Sequence, residues 1–167
     1  MITADDHVKG GCACGDVRYQ VMRDPFIVHG CHCRMCQRLS GGAFAINALV
    51  EAKKVKLLSG TPERVEMDTP SGKGQTILRC SRCKVAVWSH YYMGGIREGI
   101  CFVRVGTLDN PDLMPPDVHI YTTTRQSWLT LPEDAHVVDI FYDFNSTWSA
   151  EDNAWRKAQL SRVRAVS

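Results

Sequence analysis

The sequence has no excess of charge of one sign. Its 20 Lys and Arg residues stand against 18 Asp and Glu residues, which leaves a formal net charge of +2. Proteins that bind nucleic acid or anionic membranes usually carry a concentrated basic patch, and here the basic residues are scattered. The sequence also lacks any apolar run near the ~20 residues that span a bilayer. We therefore expect neither nucleic acid nor a membrane among its partners.

The chain also has no apolar targeting segment after Met1, because the residues that follow are mostly polar: Thr3, Ala4, Asp5, Asp6 and His7. We therefore expect a cytoplasmic protein whose thiols stay reduced. The sequence contains no internal repeat or low-complexity tract. Its 167 residues fall within the usual range of one domain.

Cysteine, in contrast, is abundant, with eight in the chain at positions 12, 14, 31, 33, 36, 80, 83 and 101. Three of them lie within residues 31–36. A strand would separate Cys31 and Cys33 by about 6–7 Å, too far for two ligands of one tetrahedral zinc with Zn–S bonds near ~2.3 Å. We expect the backbone to turn here and to converge Cys31, Cys33 and Cys36. Three ligands with one open position are typical of a catalytic zinc.

Two outer pairs of cysteines complete the metal-binding pattern. Cys12 and Cys14 form a Cys-x-Cys pair, and Cys80 and Cys83 form a Cys-x-x-Cys pair. Together they supply the four thiolates of a closed structural zinc site. The spacing alone also permits a permuted assignment, in which Cys31 and Cys33 join Cys80 and Cys83. The eighth cysteine, Cys101, lies in an apolar run and is predicted to be a core residue.

Two other interpretations of the cysteines are less favoured. A disulfide framework requires an oxidising compartment, which the polar N-terminal sequence does not indicate. A thioredoxin-like redox motif requires a Cys-x-x-Cys at a strand-to-helix junction, whereas the chain on both sides of Cys80 and Cys83 is typical of strands. Metal binding is therefore the preferred interpretation.

Short strands separated by turn residues predict an all-β fold. The expected strands cover residues 17–21, 26–29, 43–50, 55–58, 64–67, 75–79, 85–90, 100–105 and 119–121, followed by a segment at 125–128. Those at 43–50, 55–58 and 64–67 are expected to form an antiparallel meander. A short helical turn is expected over residues 37–42, and the three-cysteine segment is placed at a strand end.

The C-terminal segment has a different pattern. Ser149 is a suitable N-cap, acidic residues follow it, and basic residues lie toward the other end, which predicts a helix over residues 150–164. Trp155 on this helix is expected to pack on the sheet or on a partner subunit. We expect one zinc-binding β domain over residues 1–133 and a C-terminal extension over 134–167 that is not a separate domain.

The ordered motifs resemble those of the glutathione-dependent formaldehyde-activating enzyme family, which includes the centromere protein V group. The matching residues are Gly11, Cys12, Cys14, Gly15, Val17, Arg18, Tyr19, Cys31, His32, Cys33, Cys36, Gln37, Arg38, Ser40, Gly41, Cys80 and Cys83, with the later landmarks Gly106, Thr107, Leu108, Asp109, Pro116, His119, Ile120 and Trp128. The resemblance spans roughly residues 10–130. Two departures are Lys84, where the family usually has Gly, and the tail from about residue 134.

This resemblance implies an Mss4-like arrangement of antiparallel sheets with zinc knuckles. It also implies two zinc ions per chain: a structural zinc on Cys12, Cys14, Cys80 and Cys83, and a second zinc on Cys31, Cys33 and Cys36. The reaction implied is the joining of formaldehyde to glutathione as S-hydroxymethylglutathione, or its reversal.

The expected ligands favour chemistry on sulfur. Thiols that bind zinc are deprotonated, so a zinc ion with three thiolate ligands has a formal charge of minus one. Such a zinc is expected to activate water less well than a zinc held by three histidines. Such a site still suits an incoming thiol. Our first hypothesis is a carbon–sulfur lyase acting on a thiol adduct, with glutathione as the candidate thiol. The alternatives are a binding module in which both metals are structural, and a three-cysteine site that holds no metal.

Several further side chains are candidates for the same site. His32, between the metal ligands, is a candidate acid, base or hydrogen-bond donor to the ligands. Arg34 and Arg38 are candidates for binding substrate carboxylates. For the remaining candidates, packing within strands is an equally good interpretation: Trp88, His90, His119, Arg125 and Trp128. The sequence leaves the oligomeric state open.

Overall fold

The computed structural model describes residues 6–166 and consists mostly of β-sheet, with a C-terminal helix. Residues 3–5, used above as part of the argument against a targeting segment, lie outside this range. The strands are β1 His7–Gly11, β2 Arg18–Met22, β3 Ile27–Cys31, β4 Ala45–Glu51, β5 Val55–Ser59, β6 Glu63–Met67, β7 Gln75–Arg79, β8 Ala86–Tyr91, β9 Ile100–Arg104 and β10 Val118–Ile120. The helices are α1 Arg34–Ser40, α2 Phe144–Thr147 and α3 Ala150–Val166.

The strands form two sheets. A small sheet has the order β1-β2-β5, and a large one has the order β10-β3-β4-β9-β8-β7-β6. Neighbours are antiparallel except β10 and β3, which run parallel and place Ile120 opposite Cys31. The predicted meander of strands 43–50, 55–58 and 64–67 is therefore wrong. β5 pairs with β2 in the small sheet, whereas β4 pairs with β3 and β9 in the large sheet.

Two buried clusters follow from the alternation of side chains along the strands. The first joins Tyr19 and Val21 of the small sheet to Val28 and Val103 of the large sheet, so it fills the space between the sheets. The second lies on the opposite face of the large sheet. Its members include Ile27, Leu49, Ile100, Ile120, Tyr142 and Trp148. The three-cysteine segment belongs to this second face.

Most local predictions are close to the observed elements. Residues 17–21 alternate as expected, and Cys101 is buried in the core. The predicted C-terminal helix is confirmed as α3, and the hydroxyl of Ser149 accepts the N–H of Asp152 at 3.0 Å, as an N-cap does. Trp155 packs on Phe26, with ring centroids 4.7 Å apart. No helix among residues 6–166 is long and apolar enough to cross a membrane.

Other local predictions need correction. The strand β1 was not predicted. The last strand is Val118–Ile120 rather than 119–121, because Tyr121 has a left-handed backbone (φ 56°) that ends the pairing. The segment at 125–128 is not a strand. The expected turn at 37–42 is a helix that begins earlier, at Arg34, and ends at Gly41 with φ 68°.

Candidate metal centres

Four cysteines from the two outer pairs meet at one point. Ligand atoms of Cys12, Cys14, Cys80 and Cys83 all lie within 4.8 Å of one another. The Sγ atoms of Cys12 and Cys14 are 3.5 Å apart, and those of Cys14 and Cys80 are 3.6 Å apart. Four sulfurs around a tetrahedral zinc are about 3.8 Å apart when each Zn–S bond is ~2.3 Å. The cluster therefore fits a metal ion, and the permuted assignment of the pairs is wrong.

Each pair in this four-cysteine cluster lies on a tight turn. The N–H of Cys12 donates to the carbonyl of Val17 at 3.0 Å, and the N–H of Cys80 donates to the carbonyl of Val85 at the same distance. The N–H of Val17 also donates to Sγ of Cys12 at 3.3 Å. A hydrogen bond with the backbone of Val85 lowers the pKa of Cys83 to about 6. Such hydrogen bonds favour the thiolate form that a metal requires.

The remaining cluster contains three cysteines. Ligand atoms of Cys31, Cys33 and Cys36 lie within 4.8 Å of one another, and no fourth His, Cys, Asp or Glu of the described residues joins them at that distance. Hydrogen bonds, first from Cys31 and then from Cys36, lower the pKa of the Cys33 thiol. Three soft donors with one thiolate already favoured suit a soft or borderline metal ion. The three cysteines predicted to converge therefore do so, as three candidate metal ligands.

The three-cysteine cluster forms where β3 ends and α1 begins. Cys31 is the last residue of β3, and Cys33 is the N-cap of α1, with its Sγ accepting the N–H of Cys36 at 3.3 Å. The change from strand to helix supplies the predicted turn. It brings together three sulfurs that a continuous strand would keep apart.

The backbone and the side chain of His32, which lies between two of the cysteines in sequence, both make close contacts. Its N–H donates to the carbonyl of Ile120 at 3.0 Å, and its carbonyl accepts Nε2 of Gln37 at 2.7 Å and Oγ1 of Thr124 at 2.9 Å. Its imidazole stacks on Phe44, with centroids 4.8 Å apart. Burial lowers the pKa of His32 to about 4, so the imidazole is neutral near pH 7.

His119 is brought to the site by the parallel pairing of β10 with β3. Its Nδ1 lies 2.9 Å from Nε2 of His32, and burial lowers the pKa of His119 as well. Nδ1 of His32 is buried and has no hydrogen-bond partner. A buried N–H without an acceptor is costly, so we assign the proton to Nε2 of His32, which donates it to His119. His119, a candidate from the sequence, therefore contacts His32, which lies between the cysteine ligands in sequence.

The other candidate residues fall into two groups. Trp88 packs edge-on against Tyr19 in the core between the sheets, and Nδ1 of His90 bonds the carbonyl of Ile100 at 2.9 Å, so both have structural contacts. Around α1, a shallow groove is lined by Arg34, Arg38 and the largely exposed Trp128. Arg125 is exposed, and its positive charge contributes to the lowered pKa of both histidines.

Sequence reasoning missed Arg104 and Asn47. Asn47 on β4 lies opposite Arg104 on β9, and its Oδ1 accepts a hydrogen bond from Nη1 of Arg104. Burial lowers the pKa of Arg104, while the nearby Cys36 and Cys31 oppose that shift. Only the strand pairing places this cation beside the three-cysteine cluster, and nothing in the local sequence indicates it.

Comparison with known proteins supports the resemblance. The model of the glutathione-dependent formaldehyde-activating enzyme family matches residues 7–124. The chain belongs to this family. No curated protein matches it at a significant level. Among solved structures, the fold is similar to a crystal structure of a Rhodobacter sphaeroides protein, at 20% identity and a TM-score of 0.47, over 62% of this chain and 92% of the other.

Proposed function

We propose that this protein is a zinc-dependent carbon–sulfur lyase that acts on a thiol adduct, similar to S-(hydroxymethyl)glutathione synthase. The single observation that carries the proposal is the difference between the two clusters. Four sulfurs close the first, whereas the second has three sulfurs and no fourth ligand among the described residues. A structural site is closed, and a catalytic site keeps one position open.

The proposal assigns each cluster a role. Cys12, Cys14, Cys80 and Cys83 would hold a structural zinc that ties β1 and β2 to β7 and β8. Cys31, Cys33 and Cys36 would hold the second zinc, giving two per chain. The family's Mss4-like arrangement belongs to the same proposal. So does a cytoplasmic location, because free thiolate ligands persist in a reducing compartment.

A zinc ion at the three-cysteine cluster would act as a Lewis acid that binds and deprotonates an incoming thiol. In the forward direction, the thiol sulfur forms a bond with the carbonyl carbon of formaldehyde, and the carbonyl oxygen takes up a proton. In the reverse direction, the carbon–sulfur bond breaks and the hydroxyl proton leaves. Glutathione is the thiol that the family name indicates.

We assign the transfer of this proton to His32 and His119. The neutral pair holds one proton between Nε2 of His32 and Nδ1 of His119, 2.9 Å apart. Gln37 and Thr124 hold the His32 backbone by two hydrogen bonds, and the imidazole stacks on Phe44. Such fixed donors and acceptors lower the cost of reorganisation during reaction.

The proposal is tested by zinc content and activity in three proteins. We expect two zinc ions per chain in the wild type, one in Cys33→Ala and two in the control Cys101→Ala, since Cys101 is a buried core residue away from both clusters. Formation of S-hydroxymethylglutathione from formaldehyde and glutathione should be lost in Cys33→Ala and retained in Cys101→Ala.

Two results would contradict the proposal. Full activity of Cys33→Ala with one zinc would exclude a catalytic role for the cluster. One zinc in the wild type, unchanged by Cys33→Ala, together with no activity on thiol adducts, would favour the alternative of a zinc-stabilised binding module.

A further inference from the structure

A cavity of about 480 Å³ lies beside the large sheet. Its walls include Leu39 of α1 and Phe44, which follows the helix, together with Ile77 in the middle of β7 and Ala86 at the start of β8. This volume is within the range of small-molecule sites. The lining contains no Asp or Glu among residues 6–166, but it contains three cations: Arg79, Lys84 and Arg104.

The strand pairing explains why two of these cations meet. Arg79 is the last residue of β7 and Arg104 is the last residue of β9. β7 and β9 each run antiparallel to β8, so both strands end at the same edge of the sheet. β3 also ends there, at Cys31, because it is antiparallel to β4, which is antiparallel to β9.

Among residues 6–166, the Arg79 side chain has no counterion, whereas the anionic neighbours of Arg104 are the thiols of Cys36 and Cys31. Lys84 is neutralised by Glu63, with Nζ and Oε1 3.0 Å apart. Arg104 bonds the neutral amide of Asn47 and lies beside Cys36. The side chain of Arg79 is partly buried, and its buried Nε has no hydrogen-bond partner among residues 6–166. A buried N–H without an acceptor is costly, so this arrangement favours an anion from outside the chain.

The shape of the guanidinium groups indicates which anion fits. Each guanidinium presents parallel N–H donors that match the two oxygens of a carboxylate. Arg104 lies near Cys36, so a carboxylate held by the two arginines would be attached to a group near the three-cysteine cluster. The aliphatic wall at Leu39 and Ile77 suits the short carbon chain between them.

We propose that Arg79 and Arg104 bind a carboxylate group of the thiol substrate, so that the protein selects small thiols that carry a carboxylate. This inference rests on the proposed function, because it places the substrate sulfur at the three-cysteine cluster. It adds a specificity site that is distinct from the groove lined by Arg34 and Arg38.

The test compares two thiols that differ only in their charge. The zinc-loaded protein is titrated by calorimetry with 3-mercaptopropionate and with the uncharged 3-mercapto-1-propanol. Charge-assisted hydrogen bonds contribute roughly 1.5–3 kcal/mol, so we expect the acid to bind about ten-fold to a hundred-fold more tightly. In Arg79→Met this ratio of dissociation constants should fall at least five-fold, and in Arg79→Lys it should fall less.

The control is Arg64→Met. Arg64 lies on the neighbouring strand β6, is half-exposed and pairs with Glu98, so the ratio should stay at the wild-type value. Zinc content is measured for each variant. If Arg79→Met loses zinc while keeping the ratio, Arg79 balances the charge of the thiolates and the proposal is overturned. A wild type that binds both thiols equally also overturns it.

These binding results are independent of turnover. A preference for the acid that falls in Arg79→Met supports the carboxylate site even where no thiol adduct is formed or cleaved. In that case the site stands and the proposed lyase function is wrong. Activity with 3-mercapto-1-propanol equal to that with the acid would support the lyase function and overturn the specificity site.

Discussion

Nε2 of His32 lies 2.9 Å from Nδ1 of His119, and Gly30 makes this contact possible. Gly30 on β3 is opposite His119 on β10. A Cβ atom at position 30 would lie 2.5 Å from Nδ1 of His119 and 2.8 Å from its Cε1. The absence of a side chain at Gly30 therefore sets the position of the His119 ring.

Gly30→Ala should displace His119 from His32. We expect the free energy of unfolding to fall by roughly 1–3 kcal/mol, as for other overpacked sites. We also expect a loss of lyase activity larger than this loss of stability explains at a temperature where the variant is folded. Thermal unfolding and the rate of adduct formation are the two measurements.

Gly42→Ala is the matched control for this substitution. A Cβ at Gly42 would meet its nearest atoms at 3.7 Å, an ordinary contact, so stability and activity should stay near the wild-type values. Equal effects of both substitutions, or a fully active Gly30→Ala, would show that the position of His119 does not matter for the reaction.

Lys84 has the conformation that usually requires glycine. Its φ is 63°, and its N–H donates to the carbonyl of Cys80 at 3.0 Å to close the turn of the second cysteine pair. The left-handed region costs an ordinary residue about 1–2 kcal/mol, which gives a physical reason for the glycine that the family usually has here. The ammonium group of Lys84 pairs with Glu63.

Lys84→Gly should therefore raise the free energy of unfolding by about 0.5–1 kcal/mol, because the relieved strain exceeds the added flexibility of the unfolded chain. Urea unfolding of the zinc-loaded protein measures the change. Arg82→Gly, at an exposed position of the same turn without a positive φ, should lower stability instead. A lower stability in Lys84→Gly than in Arg82→Gly would contradict this account.

The sequence predicted the two outer cysteine pairs and the three-cysteine segment because the spacing within each is local information. The joining of Cys14 to Cys80, 66 positions apart, is not local, and the spacing alone left it open. Residues 31–36 contain three thiols, and the geometry of a strand already excludes a straight backbone through them. The same holds for the alternation of Val17, Tyr19 and Val21, which identified a half-buried strand. Such signals depend on neighbours in the chain and on simple periodicity.

The pairing of the strands could not be predicted from the sequence in the same way. β4, β5 and β6 follow one another in sequence, yet β5 belongs to a different sheet, because Tyr19 and Val21 need a partner strand to cover the first core. The cationic cavity depends in the same way on distant pairing. Arg79 and Arg104 are 25 positions apart in sequence, and only the intervening β8 brings them to one edge.

Ionisation of Tyr19 should lower the free energy of unfolding at alkaline pH. Burial raises the pKa of Tyr19 to about 12 from an ordinary value of 10.0, and its hydroxyl lies 2.7 Å from Oγ1 of Thr107. Between these values the unfolded chain loses the phenol proton and the folded chain keeps it, so stability falls as pH rises. Below pH 10 this contribution is fully present.

Tyr19→Phe removes this titration. We expect it to lower stability by about 1 kcal/mol at pH 8 through the lost hydrogen bond, and to reduce the further loss between pH 10 and 12. Tyr92→Phe, at an exposed tyrosine, is the control and should keep the wild-type slope. An unchanged slope in Tyr19→Phe, measured by urea unfolding across this range, would assign the loss of stability at alkaline pH to other groups.

The hydroxyl of Tyr142 fixes the C-terminal extension to the large sheet. It accepts Nε1–H of Trp148 at 2.9 Å and shares a hydrogen bond of 2.7 Å with Nε2 of His29. All three side chains are buried. Tyr142→Phe leaves two buried partners without a hydrogen bond, and each such group costs about 1–3 kcal/mol. We therefore expect the free energy of unfolding to fall by roughly 2–6 kcal/mol.

Tyr91→Phe provides the comparison, because the Tyr91 hydroxyl bonds Ser71 at the surface and its loss should cost less than about 0.5 kcal/mol. If the extension over residues 134–167 belongs to the same domain, Tyr142→Phe will lower the single unfolding transition of the whole chain. A separate early transition that leaves the β-sheet signal and the zinc content unchanged would instead mean that the extension unfolds independently.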